Sequence, residues 1–373
     1  MFYAIDAVDT FFFRNASPFD ADLSQSASSL FPPFPSVYAG ALRYADTTRG
    51  RSSSEISRAL KIGFSGLMVD GRLLLPRPLD TWVSPSFKLE RLSLVPSPVG
   101  SSPLPFSLTP VTLTADKEVE PRGGGYVEEA DLSRYLEGAD WEAPCLSLSD
   151  FVKREGHVGI QIDRSSGASR SGLWYSIEKV RPVDACNRRC SLVVEAEGVS
   201  VDTASSIKLG GEARAASIRR LEREESFAPV TSSSRYFKLY LAAPAIFKQG
   251  WLPWWIDPVT KEGFFAYKKH RIRVRLLSAA IGRHVAVGGF SMEKRQPKEM
   301  RYAVPAGSVY FFEIIEGEFK DAVKLFHRKC VSDYREGYGF VYQNWDRMRY
   351  CDRGYGYSLV GTIGAEQGGV LNV

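Results

Sequence analysis

The sequence predicts an α+β protein built from two βαββαβ-type units, and three observations carry that prediction. A helix-like stretch, a glycine loop and a strand-like run follow one another twice, around Gly210-Gly211 and again around Gly337-Tyr338-Gly339-Phe340. Short runs of β-branched and aromatic residues recur between turn signals, the clearest being Leu67-Met68-Val69 and Leu73-Leu74-Leu75 on either side of Asp70-Gly71. The chain has 373 residues, 44% hydrophobic and 24% charged, which is ordinary for a globular protein and long enough for two domains. The net charge of +5 suits a partner carrying phosphates, although many proteins that bind no nucleic acid are as basic.

The first unit opens on Met1–Phe13, read as one strand for its aromatic and β-branched character. A polar loop rich in Asn, Ser, Pro and Asp follows, beginning at Asn15. Phe31-Pro32-Pro33-Phe34-Pro35 must be extended, because proline bars the residue before it from the helical region. Ser36 is placed to cap a helix running to Ala45. Gly40 inside that helix costs about 1 kcal/mol relative to Ala, so a close approach to its backbone is expected. Arg14 and Arg43 bracket the unit with positive charge.

Thr47–Ser54 reads as a polar, basic loop, and Glu55–Lys61 as an added helical turn. Residues 76–144, rich in proline and holding Gly123-Gly124-Gly125, read as a loop-rich insertion with a short helix at Ala130–Leu136. His157–Pro182 reads as a hairpin. Val158, Ile160 and Ile162 alternate, Leu173–Ile177 returns, and Asp163–Gly172 forms a long basic tip with Arg164 and Arg170. Ser191–Ala196 is a strand, and Val201–Ile207 is expected to be a short helix. Consecutive Gly210 and Gly211, followed by Glu212 and Arg214, permit positive φ and close backbone approach. Such a loop can present N–H groups to phosphate oxygens or simply make a tight turn. It lacks GxxxxGK[ST] and is not a nucleotide-binding P-loop.

The densely charged Arg219–Glu225 marks a domain boundary, giving units 1–225 and 226–373. Tyr236–Phe247 starts the second unit as a strand. The aromatic cluster Trp251, Trp254 and Trp255 either stacks bases or packs an interface. Arg271, Arg273 and Arg275 share one face of an alternating strand, which is solvated or lies along phosphates. Lys294, Arg295, Lys298 and Arg301 make a basic loop. Gly317–Tyr334 reads as a helix, Val341–Trp345 as a strand, and Arg347–Val373 as a glycine-rich tail that is mobile or orders on a neighbour.

The five cysteines are irregularly spaced. Cys186 and Cys190 lack CxxC spacing, and the four histidines pair with no metal-ligand partner, so free thiols and no metal are expected. No run approaches the length of a membrane span, and no signal-peptide pattern opens the chain, which reads as cytoplasmic.

DTFFFRNASPF (Asp9–Phe19) with SLFPPFPSVYAGALR (Ser29–Arg43), the strand before GWLP (Gly250–Pro253), and AVPAGSVYFFE (Ala303–Glu313) resemble RAMP-superfamily proteins of CRISPR type III effector complexes, and above all the third Cmr subunit of type III-B complexes. The resemblance implies paired ferredoxin-like, RRM-like domains and a hairpin thumb over residues 157–182. It implies no catalysis and no cofactor, and a grip on the 5′ tag of the CRISPR RNA. Its implied partners are that RNA, the large polymerase-like subunit and the backbone RAMP subunit, with no membrane. On the matching positions it implies RNA contacts by Arg14, Asn15, Ser36, Gly40, Arg43, Arg164, Arg170, Gly210, Gly211 and Arg214, to which the basic loop adds Arg295 and Lys298 as expected contacts. Two alternatives stand beside it. One is a metal-independent CRISPR RNA-processing endoribonuclease using His157, around which no Tyr/Lys/His set is identifiable. The other is the tag-binding RAMP subunit of a type III-A complex, against which AVPAGSVYFFE argues.

Overall fold

A computed structural model describes residues 1–14, 26–47, 50–97, 102–109, 124–138, 141–183, 188–201, 205–223, 227–291, 296–333 and 350–364. The described chain is α+β and strand-rich, with four short helices: α1 (Pro35–Thr47), α2 (Ser53–Ala59), α3 (Glu129–Glu137) and α4 (Phe319–Phe326).

An eight-stranded antiparallel sheet organises the N-terminal half. Its order is Leu146–Ser147, Gly125–Glu128, Arg72–Pro76, Lys61–Val69, Cys190–Glu197, Phe2–Ala7, Ala215–Leu221 and Ser205–Lys208. Phe2–Ala7 is interior, paired with Cys190–Glu197 and Ala215–Leu221. Successive residues of a strand point to opposite faces. Tyr3 and Ile5 accordingly pack with Tyr38, Leu42 and Ile56 of α1 and α2. Phe2 and Ala4 face a second core shared with the C-terminal half. Asp70 at φ 49° and Gly71 at φ 78° turn the chain between the strands Lys61–Val69 and Arg72–Pro76, as the Asp-Gly pair predicts.

A six-stranded antiparallel sheet forms the C-terminal half, in the order Glu262–Tyr267, His270–Ala280, Val309–Glu316, Tyr236–Leu241, Tyr357–Thr362 and Lys329–Cys330. One face packs on α4 and on Trp255, whose ring lies 5.2 Å from that of Phe326. The other contributes Tyr240, Phe311, Tyr357 and Leu359 to the shared core. Lys153–Ile162 and Ser169–Arg181 form a separate long hairpin, held at its base by Phe11 and Val180, which exchange hydrogen bonds of 2.7 and 2.8 Å.

Several elements differ from the sequence reading. The first strand ends at Ala7, because Val8 and Asp9 turn out to solvent before Thr10–Phe13 runs under the hairpin. Residues 205–208 are a strand where a helix over 201–207 was expected, since pairing with Ala215–Leu221 overrides local preference. The hairpin tip is a tight turn rather than a long loop. The Asp163 carboxylate accepts the Ser165 and Ser166 N–H groups at 2.9 and 3.1 Å, and Arg170 lies in the returning strand. The helix expected over 317–334 stops at Phe326. There His327 turns extended, and its buried ring bridges the Val360 N–H to Nδ1 and the Phe227 carbonyl to Nε2. Arg273 and Arg275 face solvent but pair with Glu262, Glu313 and Glu316, so their strand face is charge-balanced. Within 76–144 the chain also supplies a strand of the large sheet, Gly125–Glu128, and α3. The tail is no appendage: Tyr357–Thr362 is an interior strand of the second sheet. The expected glycine loop 337–340 and strand 341–345, together with Cys186, lie outside the described residues. Cys145, Cys190, Cys330 and Cys351 are free thiols, all buried.

Candidate functional site

A cleft of about 460 Å³ opens where the two halves meet. Its lining includes Arg14, Ser36, Gly40, Tyr44, Lys208, Gly210, Gly211, Gly288, Gly289, Lys298, Arg353 and Tyr355. Helix α1 forms one wall. Pro35 opens the helix, where its lack of an N–H costs nothing. Tyr38, Ala39, Ala41 and Leu42 turn to the core. The helical repeat then puts Ser36, Gly40 and Tyr44 on the opposite, cleft-facing side. Ser36 is therefore inside the first turn and not the cap expected of it; its Oγ lies 3.0 Å from the Tyr355 hydroxyl across the cleft. Gly40 is exposed, and a Cβ built on it meets nothing within 4 Å. The close approach expected there is not made by any described part of this chain.

The glycine pair forms a second wall by fitting the N-terminal segment. Gly210 has φ 86°, and a Cβ on it would lie 2.6 Å from the Phe12 carbonyl oxygen. The Gly211 N–H donates to that same oxygen at 2.7 Å. This N–H is consequently committed within the chain rather than offered to a phosphate. The contact holds Phe13 and Arg14 at the cleft, where the Phe13 N–H also donates to Ser29 Oγ at 2.9 Å.

The third wall is the turn Tyr350–Gly356. The Ile62 N–H donates to the Asp352 carbonyl at 2.8 Å. Gly354, at φ 86°, is pressed so closely against Ile62, Pro35 and the Gly63 carbonyl that a Cβ would lie 2.8 to 3.1 Å from them. Only glycine takes up that conformation without strain. Beneath the turn, Tyr355 packs with Ile246, Val287 and Ala303, and Phe34 and Tyr350 pack against the same group. The turn that carries Arg353 is thereby anchored at the cleft wall.

Positive charge dominates the site. Lys298 is held below the ordinary lysine value by partial withdrawal from water and by the Arg353 and Arg43 cations. Arg353 is lowered by burial and by Arg43. The lining carboxylate, Glu299, is paired with Arg301 at 2.6 Å. Phe34, Tyr44, Tyr350 and Tyr355 add aromatic surface, and Lys208 Nζ sits 5.8 Å from the Tyr44 ring centre. Cations beside aromatic rings and bare glycine backbone can hold an anion with an attached planar ring.

The cleft thus brings together Arg14, Ser36, Gly40, Gly210, Gly211 and Lys298. Arg43 acts on it electrostatically from α1. Arg214 is engaged elsewhere, with Glu212 at 2.9 Å and Asp9 at 3.7 Å. Arg164 is exposed on the hairpin turn and does not line the cleft, and Arg170 lies in the adjoining strand. Asn15 and Arg295 lie outside the described residues. His157 is half-exposed on the hairpin, 3.8 Å from Glu155. Among the described residues no group of His, Cys, Asp and Glu could hold a metal, and no helix is long and apolar enough to cross a membrane. Sequence reasoning missed Tyr44, Lys208, Tyr350, Arg353 and Tyr355. The signal for the last three was the run YCDRGYGY, whose glycines and aromatics read as a tail.

The family model described as "CRISPR-associated protein (Cas_Cmr3)" matches residues 3–361. One chain of a structure described as the type III-B Cmr-beta bound to cognate target RNA superposes with a TM-score of 0.53. It shares 16% identity and covers 97% of this chain and 99% of that one. A chain of the same assembly bound to cognate target RNA and AMPPnP gives a TM-score of 0.50 at 16% identity, covering 83% and 86%. No curated protein matches the sequence.

Proposed function

The chain belongs to the Cas_Cmr3 family of CRISPR-associated proteins, and from that premise we propose that it is a non-catalytic RNA-binding subunit of a type III-B effector complex. In this reading it works in the cytoplasm and grips the 5′ tag of the CRISPR RNA. Each half is a ferredoxin-like unit, and the hairpin Lys153–Arg181 is a thumb laid against the guide. The large polymerase-like subunit and the backbone RAMP subunit are its protein partners.

The observation that supports the reading is the meeting of Arg14, Ser36, Gly40, Gly210, Gly211 and Lys298 at one basic cleft. These residues come from separate stretches of sequence. The resemblance to tag-binding subunits and, for Lys298, its place in a basic loop single them out, and nothing in local sequence requires them to converge.

The test is binding of the purified chain to RNA carrying the repeat-derived 5′ tag, against the same RNA with the tag scrambled, at several salt concentrations. Tag-dependent binding is expected. The Arg14→Ala variant should weaken it and lower the slope of log affinity against log salt by about 0.7 if Arg14 meets one phosphate. Equal affinity for tagged and scrambled RNA refutes tag recognition. The same preparation should leave repeat RNA uncut with and without divalent metal. Site-specific cleavage abolished by His157→Ala would establish the endoribonuclease alternative instead.

A further inference from the structure

We propose that Lys298 and Arg353, both from the C-terminal half, form a single phosphate seat facing the bare Gly40 backbone of α1, so that one bound phosphate ties the two halves of the protein together. The proposal rests on the reading of the cleft as the RNA site and names what that site holds and which residues hold it.

Four features of the cleft support it. Lys298, Arg353 and Arg43 crowd one another, and the nearby Glu299 carboxylate is already paired with Arg301. These cations depress one another, with Asp352 offsetting part of the effect on Arg353, and an anion bound between Lys298 and Arg353 adds counter-charge where they face each other. Arg353 Nε is buried and meets no hydrogen-bond partner among the described residues. A guanidinium with a donor unspent suits a phosphate oxygen, which accepts from Arg in a forked geometry. The wall opposite is shaped for close approach. Gly40 has open space where a side chain would stand, and Gly288 and Gly289 also line the cleft. Finally, Arg353 is positioned rather than loose. The Ile62–Asp352 hydrogen bond, the packing of Gly354 and the Ser36–Tyr355 contact pin its turn to the N-terminal half. A phosphate bound there lies at the junction and strengthens it.

The test uses the full-length chain with Arg353→Gln, Lys298→Gln and the double variant. Anisotropy titrations with tag RNA at several salt concentrations give affinity and salt slope, and melting temperatures are followed with added sodium pyrophosphate. Each single variant should lose about tenfold or more in RNA affinity, the scale of a charge-assisted hydrogen bond. Two cations sharing one phosphate predict a total slope loss of about 0.7 for the double variant, whereas separate phosphates predict about twice that. Pyrophosphate should raise the melting temperature of the wild type and not of Arg353→Gln. Should Arg353→Gln fail to fold, Lys298→Gln carries the same comparison, because Lys298 is on the exposed rim. Wild-type affinity in both single variants, or the doubled slope loss, overturns the seat and leaves tag binding standing. If the wild type ignores tag RNA yet pyrophosphate stabilisation requires Arg353, the RNA reading fails and the seat survives. Pyrophosphate stabilisation that is absent, or equal in wild type and variants, overturns the seat.

Discussion

Lys238→Met removes a charge from the most deeply buried ionic cluster described, and its cost can be worked from the contacts. Lys238 and Asp80 are both 0% exposed and lie between the two halves. Tyr135 of α3 joins them: its hydroxyl is 2.8 Å from both Asp80 carboxylate oxygens, and its carbonyl accepts from Lys238 Nζ at 2.6 Å. The same Nζ stands 3.4 Å from the Tyr135 ring centre. Burial pulls Lys238 down to about 7, against the opposing pull of Asp80. Burial likewise raises Asp80, against Lys238 and the Tyr135 hydrogen bond. Methionine keeps most of the stem volume, so little cavity forms. What is lost is the stronger of the two cations acting on Asp80, Arg91 being the other, and removing one partner of a buried charge pair costs about 3–5 kcal/mol. The Asp80→Asn/Lys238→Met double variant, with neither charge, should recover about 1–3 kcal/mol relative to the sum of the single losses. The assay is equilibrium urea unfolding at pH 6, where Lys238 is charged. A Lys238→Met loss under about 1 kcal/mol, or a double variant that loses the full sum, refutes the account. The sign of the pH dependence follows from the lowered lysine. Between about 7 and the ordinary 10.5 the unfolded chain holds a proton that the folded chain has released, so this group makes stability rise with pH across that window. Asp80 acts oppositely at lower pH: its raised value favours the fold in acid, and that contribution fades as pH climbs through it. Lys238→Met should flatten the upper rise.

Gly40→Ala should stabilise the protein by about 1 kcal/mol, because α1 gains helix propensity and the new methyl meets nothing; a lower melting temperature would show that the helix face is not open. Gly210→Ala should destabilise by about 2 kcal/mol or more, from its positive φ and a Cβ pushed against the Phe12 carbonyl, and unchanged urea unfolding would remove the glycine loop's structural role. Truncation after residue 349 should abolish cooperative unfolding of the C-terminal half, since it deletes the interior strand Tyr357–Thr362 along with the Arg353 turn. A truncated chain that keeps a wild-type circular dichroism spectrum and melting curve would contradict that.

Much of this protein is written locally. The Asp70-Gly71 turn, the extended proline run before α1, and the alternation of the strand His270–Ala280 follow from the residues themselves, because turn dihedrals, proline sterics and side-chain period are properties of a few neighbours. The family was legible for a related reason: its blocks are contiguous words such as AVPAGSVYFFE, and each survives as a compact piece of chain. The cleft was half legible. Arg14, Ser36 and Gly40 were named from those blocks, Gly210 and Gly211 from the glycine pair and Lys298 from the basic loop, but their meeting was not contained in any of them. Only the tertiary structure decided that the Gly- and Tyr-rich segment after residue 349 is an interior strand and the mount for Arg353. Its strand pairs with Tyr236–Leu241, and its turn hangs on Ile62, a partner nearly three hundred residues earlier. Glycine-rich sequence has weak local preference, so distant hydrogen-bond partners choose its conformation. The same partners that order this segment set its arginine beside α1, which no reading of the segment alone could reveal.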